Sequence, residues 1–195
     1  MIKIGVTGGI GSGKSIFCKI FSHSGYPVYD SDKKAKEILN QNNELKEKVI
    51  LLLGSHAYDR NGQYNRNWVA NVVFNDLEKL KKLNGLIHPY VANDFEEWLK
   101  INKSCSIIVK ETALLIETGL YKKMDFNINV TAPLSLRIER ILQRDPMRNE
   151  HDIWQIINKQ LTDNERNKYV DYVVVNDEKK SLIEQFNHVF QMLNA

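Results

Sequence analysis

Short, almost unbroken apolar runs alternate along this chain with longer stretches whose apolar residues recur every three or four positions. Ile2, Ile4 and Val6 mark a buried strand over residues 2–7, stopped by Gly8-Gly9. Residues 14 to about 24 then carry a helical stripe of Ile16, Phe17, Ile20 and Phe21, which Gly25 ends. Pro27-Val28-Tyr29 opens a second strand that finishes at Asp30. The first thirty residues therefore predict strand, glycine loop, helix, strand: one βαβ unit.

The period changes after Asp30. Residues 32–53 read as helical with a polar break at 40–43, and residues 58–64 as a turn-rich ribbon centred on Asn61-Gly62. Residues 65–103 read as helical again, with breaks near Asn75-Asp76 and at His88-Pro89. Further strands are expected at 106–109, 126–130 and 172–175. Between and after them come helices at 133–144, 150–159, 163–168 and 181–193, the first interrupted by Asp145-Pro146-Met147-Arg148-Asn149. Strands alternating with helices imply an α/β fold: a parallel five-stranded sheet flanked by helices. The expected organisation is one domain over 1–195. Its core lies at about 1–31, 104–135 and 169–195, with a helical insert at about 32–103 and a lid region at about 136–168.

Composition narrows the class only a little. An apolar content of 43% in 195 residues supplies a sizeable core. The formal charge of +3 falls well short of the clustered basic excess of a nucleic-acid binder, so no nucleic-acid partner is expected. Cys18 and Cys105 have no metal-ligand or CxxC spacing, and both read as inert thiols in a reducing compartment. No apolar run approaches the roughly 18 residues of a membrane span, and a strand at Ile2 is expected to leave no place for a signal peptide. A cytoplasmic protein, monomeric or weakly self-associating, is the expectation.

Residues 8–15, Gly-Gly-Ile-Gly-Ser-Gly-Lys-Ser, match G-x-x-x-x-G-K-[ST] at every fixed position. The chemistry explains the residue types. Glycines let main-chain N–H groups turn inward around a phosphate, and the next helix aims its positive N-terminus at the same anion. Gly9, Gly11, Ser12, Gly13, Lys14, Ser15 and Ile16 are thus the expected nucleotide-binding residues. Lys14 reaches the β- and γ-phosphates, and the Ser15 hydroxyl ligates Mg²⁺. A chance glycine-rich turn would not sit between an apolar strand and an apolar-striped helix. The fold expected is therefore of the P-loop NTPase type.

A guanine-reading N-K-x-D is absent, and the D-x-x-G at residues 59–62 follows a polar turn rather than a strand, so a GTPase is disfavoured. A small-metabolite kinase fits better. Such enzymes need a base or positioning group for the acceptor hydroxyl, cations around the phosphoryl group, and a lid that excludes water. Asp30 and Asp32 follow the second strand at the edge where α/β sheets bind ligands; either can act on the acceptor, or simply cap the next helix. Arg137, Arg140 and Arg144 share a helix face, with Arg148 beyond the break; they read as phosphate-neutralising cations, or as a solvated row. Glu111 follows a strand interrupted by Lys110. Three roles are open to it: touching Mg²⁺ through water, orienting substrate, or capping a short helix at 114–118. His88, before Pro89, is by type most often structural.

Taken in order, these segments resemble the dephospho-coenzyme A kinase family over nearly the whole chain. The matching stretches are residues 6–15, Val28-Tyr29-Asp30-Ser31-Asp32 with Ala35, and Leu86-Ile87-His88-Pro89. They continue through 113–117 with Leu120-Tyr121, Gln143-Arg144-Asp145, Gln160-Leu161 and 171–177. The resemblance implies that ATP phosphorylates the ribose 3′-hydroxyl of dephospho-CoA, giving CoA and ADP, the last step of coenzyme A biosynthesis. It implies Asp32 as the base and places His88 near the acceptor within an insert around 60–103. It also places Arg140 and Arg144 in the lid over the phosphates, and Asn176 and Asp177 near the ATP base. Two positions depart from the family pattern. Ala113 stands where Pro is common, which leaves the placement of Glu111 open, and Ile16 stands where Thr is common and is expected only to pack. Two other readings compete: a P-loop kinase of another small hydroxyl acceptor, such as a nucleoside or sugar acid, and a nucleotide-binding regulatory module without turnover.

Overall fold

In the computed structural model, residues 1–74, 76–146 and 148–193 are described. The chain divides into two compact units, Met1–Asp30 with Ser104–Ala195, and Ser31–Lys103.

The first unit holds a five-stranded, fully parallel sheet in the order β2-β3-β1-β4-β5. Its strands are β1 (Ile2–Thr7), β2 (Val28–Asp30), β3 (Ile107–Glu111), β4 (Phe126–Thr131) and β5 (Tyr172–Val175). Because β1 is central, the loop leaving its C-terminal end has a strand on either side. Val6 pairs in register with Glu111, and Glu111 with Asp30, so all three stand at one level on the sheet's C-terminal edge.

Helix α1 (Lys14–His23) packs Phe17, Cys18 and Phe21 onto the sheet. Its partner in the core, Phe186, comes from the C-terminal helix and meets Phe21 edge-on with ring centroids 4.8 Å apart. Ile4, Val6, Val109, Ile128, Val130 and Val174 complete a dry centre of the kind a doubly covered parallel sheet requires.

The second unit is helical: α2 (Ser31–Gln41), α3 (Asn43–Leu53), α4 (Arg66–Phe74) and α5 (Leu77–Ile101). Its own core joins Leu39, Leu45, Val49, Tyr58, Val69 and Leu83. Between α3 and α4 the expected ribbon reduces to one antiparallel bridge, Tyr58 to Tyr64. The Asp59 carboxylate accepts from the N–H groups of Asn61 and Gln63, so the D-x-x-G sequence here is an Asx-type turn.

Back in the first unit, α6 (Leu134–Arg144), α7 (Glu150–Lys159) and α8 (Asp163–Arg166) lie between β4 and β5, and α9 (Leu182–Leu193) follows β5.

Four expectations are corrected. The helix does not break at His88-Pro89: α5 runs through Pro89, giving up only the bond its missing N–H would make to residue 85. That residue is Gly85, and no heavy atom lies within 4 Å of where its Cβ would be. β3 runs two residues further than the apolar pattern, taking in Lys110 and Glu111, both buried, because the pairing to β1 and β2 continues. Residues 114–118 form turns rather than a helix, and the bond to the Leu114 N–H comes from the Thr112 hydroxyl, not from Glu111. Ile16 is not packed; it is 54% exposed. The expected breaks at Asn75 and Met147 fall outside the described residues, although Asp76 caps α5 through the Lys79 N–H and Asp145 ends α6.

Phe21 is fully buried between the sheet and α9, so Phe21→Ala should lose about 3–5 kcal/mol of unfolding free energy. Urea denaturation would measure it.

Candidate active site

The loop from Gly8 to Ser15 leaves β1 and enters α1 through Gly13, which has a left-handed backbone (φ 93°) and serves as a helix N-cap without a side chain. An ordinary cap would place an oxygen over the first N–H groups of α1. Here that helix end is left for an external anion. Lys14 Nζ donates back across the loop to the carbonyls of Gly8 and Gly9, at 2.8 and 3.3 Å.

Three side chains from distant sequence hold the loop's outer wall. Arg137, on α6, donates through Nε to the Ile10 carbonyl at 2.8 Å, and Gln160 accepts from the Ile10 N–H at 2.8 Å. Asn176, just past β5, donates through Nδ2 to the Ser12 carbonyl at 2.9 Å and is itself fixed by its N–H on the Thr131 carbonyl. The approach is so close that a Cβ on Gly11 would come within 2.5 Å of the Arg137 carbonyl, and one on Gly13 within 2.0 Å of Asn176 Nδ2.

Below the loop, the Ser15 hydroxyl donates to Glu111 Oε1 at 2.6 Å. This puts two hard oxygens side by side at the edge where β3 ends. Cys18, one turn further along α1, is buried, and its thiol is pushed up, first by burial and then by the neighbouring Glu111 carboxylate. The Cys18 thiol therefore stays protonated near neutrality. Cys105 is also a free thiol.

The arginine row separates into three environments. Arg137 is buried against the loop, and burial lowers its proton affinity, with the charge of Arg166 adding to the effect and Asp163 opposing it. Arg140 donates through Nη2 to the Asn176 carbonyl at 3.2 Å, to Asn176 Oδ1 at 3.4 Å and to Glu178 at 3.0 Å. Its Nη1 is buried with no hydrogen-bond acceptor among the described residues. Arg144 is exposed, and Arg148 pairs with Asp145 at 3.0 Å. Sequence reasoning missed Arg137 as the arginine that touches the loop; the sign was its i−3 spacing from Arg140 on a face the periodicity treats as polar. It also missed Gln160 as a loop contact, although that residue stood among the matching segments.

Asp32 and His88 belong to the second unit. Asp32 is exposed in the first turn of α2. His88 lies on α5, and partial desolvation lowers its pKa below the ordinary imidazole value, so it is neutral at pH 7.

A parallel sheet of this order, with a glycine loop entering a helix at its central strand and a serine–glutamate pair beneath, defines a P-loop phosphotransferase. The comparisons narrow the class. The family model for dephospho-CoA kinase matches residues 2–181. A dephospho-CoA kinase of Fusobacterium nucleatum is 39% identical over 174 residues, covering 89% of each chain. One of Bacteroides fragilis is 35% identical over 192 residues, 98% of this chain and 93% of its own. A solved dephospho-CoA kinase from Campylobacter jejuni superposes with a TM-score of 0.69 at 26% identity, covering 98% and 96% of the two chains. The chain belongs to the dephospho-CoA kinase family, and it is an ATP-dependent kinase.

Gly11→Ala meets backbone rather than a movable side chain, and does so at φ 78°. It should cost about 1–3 kcal/mol in strain and weaken ATP binding together with it; thermal denaturation and nucleotide titration of the purified variant would show both losses.

Proposed function

We propose that this chain transfers the γ-phosphoryl group of ATP to the ribose 3′-hydroxyl of dephospho-CoA, yielding CoA and ADP. The carrying observation is the loop from Gly8 to Ser15, walled by Arg137, Gln160 and Asn176, in a chain of this family. Gly9, Gly11, Ser12, Gly13, Lys14, Ser15 and Ile16 surround the triphosphate, with main-chain N–H groups and the Lys14 ammonium taking up its charge. As the bridging P–O bond to the β-phosphate breaks and the bond to O3′ forms, the hydroxyl proton passes to Asp32. Phosphoryl transfer runs through a loose transition state, so charge neutralisation and alignment dominate over the base.

Arg140 and Arg144 are assigned to the lid over the phosphates, within residues 136–168. The acceptor-free Nη1 of Arg140 supports its place there. Asn176 lies toward the nucleotide base, and His88, in the helical segment 32–103, near the acceptor. Mg²⁺ fits the donors present: the Ser15 hydroxyl and Glu111 carboxylate are hard oxygens 2.6 Å apart. When bound, the ion would neutralise charge between the β- and γ-phosphates. Glu111 orients the Ser15 hydroxyl and would help hold the ion. Its role toward substrate is the weaker reading, because its carboxylate is buried and already holds Ser15. A cytoplasmic, monomeric or weakly associating enzyme without a nucleic-acid partner accords with this reading. No helix among the described residues is long and apolar enough to cross a membrane.

Three measurements test the assignment. Coupled ADP release should be strong with dephospho-CoA and negligible with nucleosides or sugar acids; a preference for one of the latter would replace the acceptor. Lys14→Ala should lower turnover by about 10²–10³-fold, a greater loss than Asp32→Asn, and near-native turnover in Lys14→Ala would refute the role of the loop. Glu111→Gln should raise the Mg²⁺ concentration for half-maximal rate by about 10–100-fold while leaving the fold intact.

A further inference from the structure

Arg166, the last residue of α8, is 1% exposed and is among the largest fully buried side chains of the protein. Its guanidinium is only partly matched. Nη1 faces Asp163 Oδ1 at 3.5 Å, and Nη2 stands 3.7 Å from Glu117 Oε1, within ion-pair range but too far for a hydrogen bond. Among the described residues, Nε and Nη2 have no hydrogen-bond acceptor. Those two nitrogens lie on one edge of the planar group, the edge that grips two oxygens of a carboxylate or phosphate at once. Leaving charged donors buried and unbonded is expensive, so the open edge calls for a partner.

Neither neighbouring carboxylate closes on the Nε/Nη2 edge at hydrogen-bond distance. Asp163 Oδ2 accepts from the Thr131 hydroxyl at 2.6 Å and stands 3.7 Å from Arg137 Nη1. Glu117 is partly exposed and offers one oxygen at ion-pair distance. The position of Arg166 follows from the same contacts. Asp163 lies between Arg166 and Arg137, and Arg137 bonds to Ile10, with its Nη2 2.1 Å from where a Cβ on Gly9 would be. Through Nη1 and Asp163, the Arg166 guanidinium stands one carboxylate away from Arg137 and the wall of the phosphate loop. A capping box between Thr162 and Glu165 closes the N-terminus of α8.

We propose that the Nε/Nη2 edge of Arg166 receives oxygens of the phosphoryl group that leaves ATP, making Arg166 a further cation of the transfer site beside Lys14 and the α6 arginines. This rests on the kinase reading of the same loop. Arg137 and Arg166 share Asp163, and Glu117 reaches Arg166 only at ion-pair distance, so the buried donors of Arg166 are left for oxygens that a phosphoryl group would supply. The lowered proton affinity of Arg137, to which Arg166 contributes, agrees.

The test compares nucleotides that differ by the γ-phosphate. ADP and the β,γ-imido analogue of ATP are titrated into the full-length protein with Mg²⁺, for wild type, Arg166→Lys and Arg166→Gln. The lysine variant keeps the charge and loses the fork. Expected is a loss of about 10–100-fold for the ATP analogue with ADP affinity changed less than about threefold, and a fall in kcat beyond the change in KM. Equal losses for both nucleotides, or none for either, would overturn the proposal and assign Arg166 to Glu117 as a structural pair. Should neither variant fold, the wild-type protein decides through ¹⁵N-labelled arginine. A buried Nε–H signal must move on adding the ATP analogue and not on adding ADP, and identical spectra would also overturn it. Wild-type turnover with dephospho-CoA tests the kinase reading separately. Intact turnover without the nucleotide split removes only the Arg166 assignment.

Discussion

A phosphate loop built from main-chain N–H groups has to keep its shape without side chains of its own, and here the space those side chains would occupy is filled from elsewhere. Arg137 fills it at Gly9 and Gly11, Asn176 at Gly13, and Gln160 ties the Ile10 N–H. The glycines are thus needed twice, for left-handed backbone at Gly11 and Gly13 and for close approach by residues more than a hundred positions away. Close packing on the outside keeps the concave side ready for an anion, and such preorganisation limits what must be ordered on binding.

The same contacts bind separate parts of the first unit to the loop. Arg137 brings α6, Gln160 the end of α7, and Asn176 the exit of β5. Arg140 then joins α6 to that exit through Asn176 and Glu178. Helices that follow β4 are in this way coupled directly to the phosphate loop.

Charge is distributed economically around this centre. The cations around the loop have a carboxylate within ion-pair reach or a carbonyl to which they donate: Lys14 on Gly8 and Gly9, Arg137 on Ile10 and near Asp163, Arg166 between Asp163 and Glu117. Several donors nonetheless stay unfilled, among them Arg140 Nη1 and Arg166 Nε and Nη2. Desolvation makes such donors strong toward an arriving anion, and a phosphoryl group in a loose transition state presents that charge on three oxygens. Beneath the loop, Glu111 supplies the opposite sign beside the Ser15 hydroxyl.

How much of this was legible in the chain depends on the range of the interactions. The sheet, the loop motif and the helix from Lys14 were readable because they rest on local patterns: alternating apolar runs, fixed glycine spacing, a four-residue stripe. Asp30 at the end of the second strand, Asp32 just beyond it and the ordered family segments were equally local. The ends of elements were not. Glu111 became strand because β1 and β2 lend it hydrogen-bond partners, and Pro89 stayed in a helix because the helix is long and residue 85 has no side chain to crowd it. Nor could spacing tell which arginine meets the loop: Arg137, Arg140 and Arg144 look alike on a helical wheel, yet one is buried, one bridges to Asn176 and one faces solvent. The sequence by itself determined the backbone chemistry of phosphate binding, since that requires only glycines, a lysine and a helix start in succession. Tertiary structure alone decided which charges surround it, because burial and pairing are set by chain segments that meet only after the sheet has assembled.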